Sequence, residues 1–467
     1  MRKSGLDVYL LLPIKNFIEK QTSVGLLLIF SATLAVLFAN SPWRSLYHEF
    51  WEQHLYIGIN DLELEKSLLH WINDGLMSIF FFMVGLELKR EIIDGHLASV
   101  RGAVLPIAAA LGGMIFPALI YFGFNTGTGS ISGWGIPMAT DIAFALGILF
   151  LLGKRVPLSL KVFLTAIAIV DDMGAVLVIA LFYTADLAIE NLVLAGFFLL
   201  ILMTANQMGI RSTWFYAIMG IGGLWMAIML SGVHATIAAV LVAFTIPNSK
   251  KINTPVFLRK VRWLTNEVRN KYIRSVKEEE EETEEDVISS IEKFTSLAQD
   301  ATPPLQRLEH ALYPFVSFVV LPLFAFANAG VTIDTGSFNA IFNPVTIGVV
   351  LGLIAGKFIG IVLFTRLMVS LKISELPTEV TWKHIYGIGF LGAIGFTMSL
   401  FITELAFEDE LFMTQAKIGI LLASVIAGTI GFFYLKGASR RPRVSTAFIR
   451  PEGKLKKVER EPQKAGL

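Results

Sequence analysis

No cysteine occurs among the 467 residues, and charged side chains are scarce at 16%. The first absence removes any disulfide framework and any thiolate metal site. The second stands beside 54% hydrophobic residues, 36 Phe and a mean hydropathy of +0.64, and removes the soluble classes. A chain this long and this apolar is a polytopic membrane protein with an all-α fold. Two motifs are missing as well. There is no GxxxxGK[ST] phosphate loop to bind ATP, and no GxGD of the kind an intramembrane aspartyl protease carries. The net charge of +1 excludes little, because the placement of charge matters more than its sum. No cofactor and no nucleic-acid partner are expected.

At about 20 apolar residues per crossing, spans fall near 22 to 40, 68 to 88, 102 to 123, 134 to 152, 158 to 183, 190 to 207, 212 to 230, 233 to 247, 311 to 329, 344 to 368, 385 to 406 and 413 to 435. That makes about twelve transmembrane helices, with both termini on one side. The connections test the count. Lys89, Arg90 and Arg101 follow span two, Lys154 and Arg155 span four, Arg211 span six, Lys250, Lys251, Arg259 and Lys260 span eight, and Arg366, Lys372 and Lys383 span ten. The other connections are neutral or acidic, with Asp186, Glu190, Asp334, Glu404, Glu408, Asp409 and Glu410, apart from Arg44 and Lys66 in 41–67. The positive-inside rule then makes both termini cytoplasmic.

The chain divides accordingly. Residues 1–21 form a basic amphipathic segment lying on the cytoplasmic membrane surface. Residues 22–247 hold spans one to eight, interrupted outside by 41–67, where HLYIGINDLELEK alternates like a hairpin with its turn near Asn60 and Asp61. Residues 248–308 are a charged cytoplasmic linker, basic in KVRWLTNEVRNKYIR and then acidic in KEEEEETEED (277–286). Spans nine to twelve occupy 309–435, and a basic, Pro-punctuated cytoplasmic tail runs over 436–467, suited to anionic headgroups.

Against this background the rare intramembrane charges stand out. Asp171 and Asp172 are adjacent in the apolar stretch 158–182, with no basic residue nearer than Lys161. An ionised group at that depth costs roughly 2.5–3.5 kcal/mol on insertion scales, so an adjacent pair marks a functional site. Span four, GWGIPMATDIAFALGILFLL, carries Pro137, Thr140 and Asp141 where a smooth lipid-facing helix would have apolar residues. Span eleven, IGFLGAIGFTMSLFI, is interrupted by Gly389, Gly392 and Gly395 ahead of Thr397 and Ser399. Two broken spans seven apart point to inverted-topology repeats, spans three to five matching ten to twelve, with the broken helices crossing near the midplane. The helix ends that meet there gather positive partial charge at N-termini and negative at C-termini. Asp141 offsets the former or ligates a cation directly. Lys357, far from either end of its span, offsets the latter, or forms a salt bridge to Asp172 or Asp171 that opens on ion binding.

At these residues the chain resembles the NhaA family of bacterial sodium/proton antiporters. PMATDIAFALG (137–147), AIVDDMGAV (168–176), SGVHATIA (231–238), LPLFAFANAGV (321–331), GKFIGI (356–361), GFTMSLFI (395–402) and INDGLMSIFFFMVGLELKREI (72–92) are similar to that family's motifs and follow its order over about 15–435. The resemblance implies a multi-pass secondary transporter of the bacterial inner membrane, not an enzyme. It implies electrogenic exchange of Na⁺ or Li⁺ for protons and a homodimer joined partly by the outside hairpin. By motif position, Asp171 and Asp172 would be the ion site with Thr140 as a further oxygen, Thr140 and Asp141 the crossing of the broken span, and Lys357 the lysine partner. Candidates for the family's pH response are Glu87, Arg90 and Glu91 at the end of span two, Glu309 and His310 before span nine, and His234 at the start of span eight. An interfacial ion-pair network and a structural histidine are the alternatives for these. Asp74 is a second buried-carboxylate candidate. The Glu-rich linker and the long basic tail depart from the family's pattern.

The chemistry follows from the pair. Two neighbouring carboxylates in a low-dielectric funnel cannot both ionise cheaply, so a proton is on offer near neutral pH. A small hard cation wants oxygen ligands, so Na⁺ and H⁺ compete for one site, and the competition is the coupling. A sodium-coupled organic anion carrier would need more donors than one lysine, and a protease would need another carboxylate geometry. A channel would have no need of buried charge compensation.

Overall fold

The computed structural model describes residues 21–59, 62–184, 187–278, 284–332 and 342–439. The amphipathic start, the tail beyond 439, the centre of the Glu-rich run, the turn at Asn60 and Asp61, and the loop acids Asp186 and Asp334 lie outside these residues. Among the described residues, eight helices are long and apolar enough to cross a membrane, and nine if the bent pair Trp382–Gly392 and Phe396–Ala406 counts as one span. Length and composition therefore stop short of the twelve expected spans. The α-helical part of span two, Met77–Ile93, has 17 residues, span eight is a helix of only 11 residues, and Thr213–Met229 is also short.

α1 (Gln21–Ala39) is apolar all round, as a helix flanked by both lipid and protein must be. Leu26, Phe30 and Leu37 face outward while Val24, Leu28 and Ala35 are buried. A short helix α2 (Arg44–Glu52) turns the chain into an antiparallel hairpin, β1 (His54–Ile59) with β2 (Leu62–Ser67), in the register His54 to Ser67. Glu65 accepts from Tyr56 across that hairpin at 2.9 Å and meets His54 at the same distance. Tyr47 anchors α2 to the bundle by donating to the Phe326 carbonyl.

Span two starts in a π-helical segment, Trp71–Leu76, and continues as α3 (Met77–Ile93). The connection after it leads to α4 (Val100–Asn125), which tolerates Pro106 and Pro117 because both lie on its buried face against other helices, while Leu111, Ile115 and Leu119 face outward. Then come the two halves of span four, described below, ending in α5 (Ile142–Leu151), and the long α6 (Leu158–Phe182) and α7 (Ile189–Gln207). Gly25 of α1 and Gly147 of α5 face each other, their backbones close enough that an added Cβ on either would lie 3.0–3.2 Å from the other's Cα. Small residues are what allow helices to pack this closely in lipid. α8 (Ala235–Thr245) lies against α3, where Lys89 donates to the carbonyls of Phe244 and Ile246 at 2.6 Å each. A cation at those otherwise orphaned carbonyls satisfies the helix end.

Two amphipathic helices, α9 (Thr254–Glu278) and α10 (Glu284–Ala301), pack on each other outside the bundle. The ion pair Lys251–Asp300 closes their base at 3.0 Å. Span nine joins α11 (Pro304–Phe315) to α12 (Leu321–Asn328) through π-helical Val316–Val320. Span ten joins α13 (Pro344–Leu351) to α14 (Lys357–Ser370) through π-helical Gly352–Gly356. α14 crosses α4 at Gly360, whose backbone abuts the Gly112 carbonyl so tightly that no Cβ fits on either glycine. α15 (Trp382–Gly392), α16 (Phe396–Ala406) and α17 (Glu410–Ala438) complete the chain.

Candidate functional site

The first half of span four is a 3₁₀ helix, Ile131–Met138, and Ala139 is extended before α5 begins. Pro137 explains the break, since its ring cannot donate the hydrogen bond that an α-helix would need there. Span eleven breaks between α15 and α16 over Ala393–Gly395 and bends by 42°. The breaks meet, because the Asp141 N–H donates to the Ile394 carbonyl at 2.7 Å.

Asp141, only 1% exposed, holds the N-termini of both second halves. Its Oδ1 accepts from the Phe144 N–H of α5 at 2.9 Å. Its Oδ2 accepts from the Thr397 N–H and hydroxyl of α16 at 3.1 and 2.7 Å. One carboxylate thus caps two helices and offsets two positive dipole ends. Around the opposite ends, Thr140 Oγ1 lies 2.6 Å from Asp171 Oδ2 and 2.9 Å from the Gly392 carbonyl that ends α15. Lys357 Nζ donates to Thr140 Oγ1 at 2.6 Å and pairs with Asp171 Oδ2. Lys357 is completely buried, so its charge depends on that pairing.

Asp172 differs from its neighbour. It is 0% exposed, and neither of its oxygens has a hydrogen-bond partner among the described residues; Asp171 Oδ1 is equally without one. The charges of Asp171, Asp141, Lys357 and Glu87 all act on it. A buried carboxylate with no donor has to carry a proton or neutralise a cation. The Thr140 hydroxyl reaches Asp171 through the other oxygen, Oδ2, so Asp171 Oδ1 and both oxygens of Asp172 are left without a donor among the described residues.

The other sequence candidates lie elsewhere. Asp74 sits in the π-helical start of span two and meets His70 Nε2 at 2.8 Å. Next to it, Asn73 exchanges hydrogen bonds with Asn328 of α12 at 2.8 and 3.4 Å. Arg90 links α3 to α11, with Glu309 at 3.4 Å and Glu91 at 3.3 Å, and Glu91 accepts from the His96 N–H at 3.0 Å. Glu87 stands three and four residues before Arg90 and Glu91 on α3, so the three share one helix face, which Arg90 ties to Glu309. His310 is exposed beside it. His234 precedes α8 and its Nε2 lies 2.7 Å from the Tyr183 carbonyl at the end of α6. Two contributors were named in the span-eleven interruption but not as site residues: Thr397, a hydroxyl two residues past Gly395, and Gly392, which contributes its carbonyl.

Comparison with known proteins agrees with the motifs. The family model described as Na⁺/H⁺ antiporter 1 matches residues 15–435. The Na⁺/H⁺ antiporter NhaA of Acidithiobacillus ferrooxidans is 48% identical over 432 residues, covering 92% of this chain and 99% of that protein. The Na⁺/H⁺ antiporter NhaA 2 of Syntrophotalea carbinolica is 46% identical over 434 residues, covering 92% and 97%. The Na⁺/H⁺ antiporter NhaA of Oleidesulfovibrio alaskensis is 47% identical over 427 residues, covering 91% and 94%. With apolar membrane-length helices, intramembrane charges at two crossing breaks and a match over almost its whole length, the chain belongs to the Na⁺/H⁺ antiporter 1 family.

Proposed function

We propose that this protein exports Na⁺ or Li⁺ in exchange for protons, electrogenically and driven by the proton gradient, with Asp171 and Asp172 as the shared ion and proton site. The observation that carries the reading is the set of three unpartnered, buried carboxylate oxygens beside the Lys357–Asp171 pair. Loading that site with either Na⁺ or protons compensates its charge. Left empty and ionised, it is expensive to move between access states. Thr140 supplies a further oxygen, Asp141 holds the broken helices in place, and Lys357 balances Asp171 until the cation arrives. Exchanging two protons for one Na⁺ moves net charge, so the membrane potential contributes to export.

The wider arrangement belongs to the same proposal. Twelve spans in inverted repeats, counting the short and broken ones, place both termini, the 248–308 linker and the 436–467 tail in the cytoplasm. The hairpin within 41–67 is then outside, available to a second protomer. Glu87, Arg90, Glu91, Glu309 and His310 at the cytoplasmic end, and His234 at the other, would tune activity to pH.

The test is dissipation of ΔpH, followed by fluorescence in everted vesicles from cells lacking their own antiporters. Na⁺ and Li⁺, but not K⁺, should collapse the gradient. Competition for one site fixes the sign of the pH dependence. As pH falls, protons occupy the carboxylates and the apparent KM for Na⁺ rises, by about tenfold per pH unit for each proton displaced. Above the range where the site is protonated, KM levels off. Wild-type vesicles that move no protons on cation addition at any pH would rule out exchange as the activity.

A further inference from the structure

Hydroxyl groups grip the 3₁₀ half of span four from three sides. Tyr121 of α4 donates to the Ser130 carbonyl at 2.8 Å, and Ser399 of α16 to the Ile136 carbonyl at 2.8 Å. The third is Tyr183, which donates to the Ser132 carbonyl at 2.6 Å and accepts from the Gly135 N–H at 3.2 Å. Tyr121 and Ser399 are fully buried, whereas Tyr183 is only partly so. Tyr183 is also the residue that ends α6, the helix of Asp171 and Asp172. Trp134 reinforces the junction, its ring 5.0 Å from that of Phe182 and stacked on Tyr183 at 6.4 Å. Gly135 allows the approach, since a Cβ there would lie 2.7 Å from the tyrosine hydroxyl.

The first half of span four and the second half of α6 therefore run side by side and are pinned at both ends. One pin is Thr140 on Asp171; the other is Tyr183 on Ser132 and Gly135. From Asp171 to Tyr183 is about 18 Å of helix, so the second pin lies near the membrane face. We propose that Tyr183 is a positioning residue for the exchange: its hydroxyl latches the first half of span four onto the end of the ion-site helix, and must release before an ion reaches Asp171 and Asp172 from that face. The inference rests on the exchange activity proposed above. Tyr183 acts through span four and does not touch the ion. Its bonds lie where water can replace them, so breaking them costs little. The enclosed bonds of Tyr121 and Ser399 keep the half-helix with α4 and α16.

The absence of native cysteine makes the test direct. Ile136→Cys puts one thiol on the fully buried wall of the latched strip. An impermeant maleimide is added to right-side-out and to everted vesicles, so that the face is identified by the result. Tyr183→Phe keeps the ring and removes both bonds. Labelling from one face should rise about three- to tenfold, and the KM for Na⁺ at the opposite face should rise by a similar factor with maximal rate retained, because the state competent there is less populated. Gly135→Ala, which pushes the hydroxyl away from the other side, should do the same. Tyr121→Phe should lower thermal stability without changing labelling. Wild type and Tyr183→Phe with equal labelling and equal KM, in a protein that exchanges, would overturn the latch, as would an equal rise with Tyr121→Phe. A wild type that does not exchange counts instead against the activity on which the latch depends.

Discussion

Asp172→Asn is expected to abolish cation-dependent proton movement, down to the level of vesicles without the protein, while leaving the fold intact. The side chain keeps its shape and stays enclosed, and the neutral amide no longer has a charge to compensate. It gains two N–H donors without partners, at a cost of about 1–3 kcal/mol, but the larger expense of an ionised group among apolar helices disappears. Thermal stability should therefore stay close to wild type or exceed it. Function has no such relief, because Asp171 is already committed to Lys357 and Thr140. With Asp172 neutral, the Lys357–Asp171 pair already balances itself and a bound Na⁺ would leave a net positive charge, so the proposed competition between Na⁺ and protons is gone. Measuring ΔpH dissipation and thermal unfolding on the same preparation checks both halves. Residual Na⁺-dependent proton flux in this variant would move the ion site away from Asp172.

The second large effect concerns stability. Lys357→Met leaves Asp171 Oδ2 with Thr140 alone in a fully enclosed position, and removing one member of a buried pair costs roughly 3–5 kcal/mol. The single variant should unfold at a clearly lower temperature. Adding Asp171→Asn should restore most of the loss, since the uncompensated carboxylate is then gone. The restoration, read as a double-mutant cycle, measures the coupling. Asp172→Asn in place of Asp171→Asn should restore less, because Asp172 makes no contact with the ammonium. Equal rescue by both would mean that the lysine serves the pair as a whole. Transport by Lys357→Gln, measured under an imposed membrane potential, then asks whether charge still moves when no ammonium can release a proton.

Much of this was open to a reader of the sequence, and the parts that were not have a physical reason. Apolar runs and alternating basic loops reveal spans because lipid and the translocating membrane act on local composition. Breaks announce themselves through Pro137 and through Gly389, Gly392 and Gly395, whose backbone effects are also local. Pairing is different. Asp171 and Asp172 are one residue apart, so they point about 100° apart around α6, and only the packing of α14 decides which one Lys357 meets. The same holds for Thr397, which reaches Asp141 from 256 positions away. The 11-residue α8 is shorter than any length rule admits, and it is placed by Lys89 at its end and the close packing of Gly85 against Ala243.

The π-helical segments in spans two, nine and ten have a genetic consequence. Each accommodates one residue beyond what an α-helix of the same rise would hold, so each is a place where a codon can be lost without turning the flanking helix on its axis. Between α13 and α14, a chain shortened by one residue within Gly352–Gly356 can close up as ordinary α-helix, with Lys357 still facing Asp171. The same deletion a turn later, inside α14, rotates everything beyond it and brings a side chain other than Gly360 against Gly112. Tolerance to single-residue deletion along these spans should therefore be confined to the wide turns.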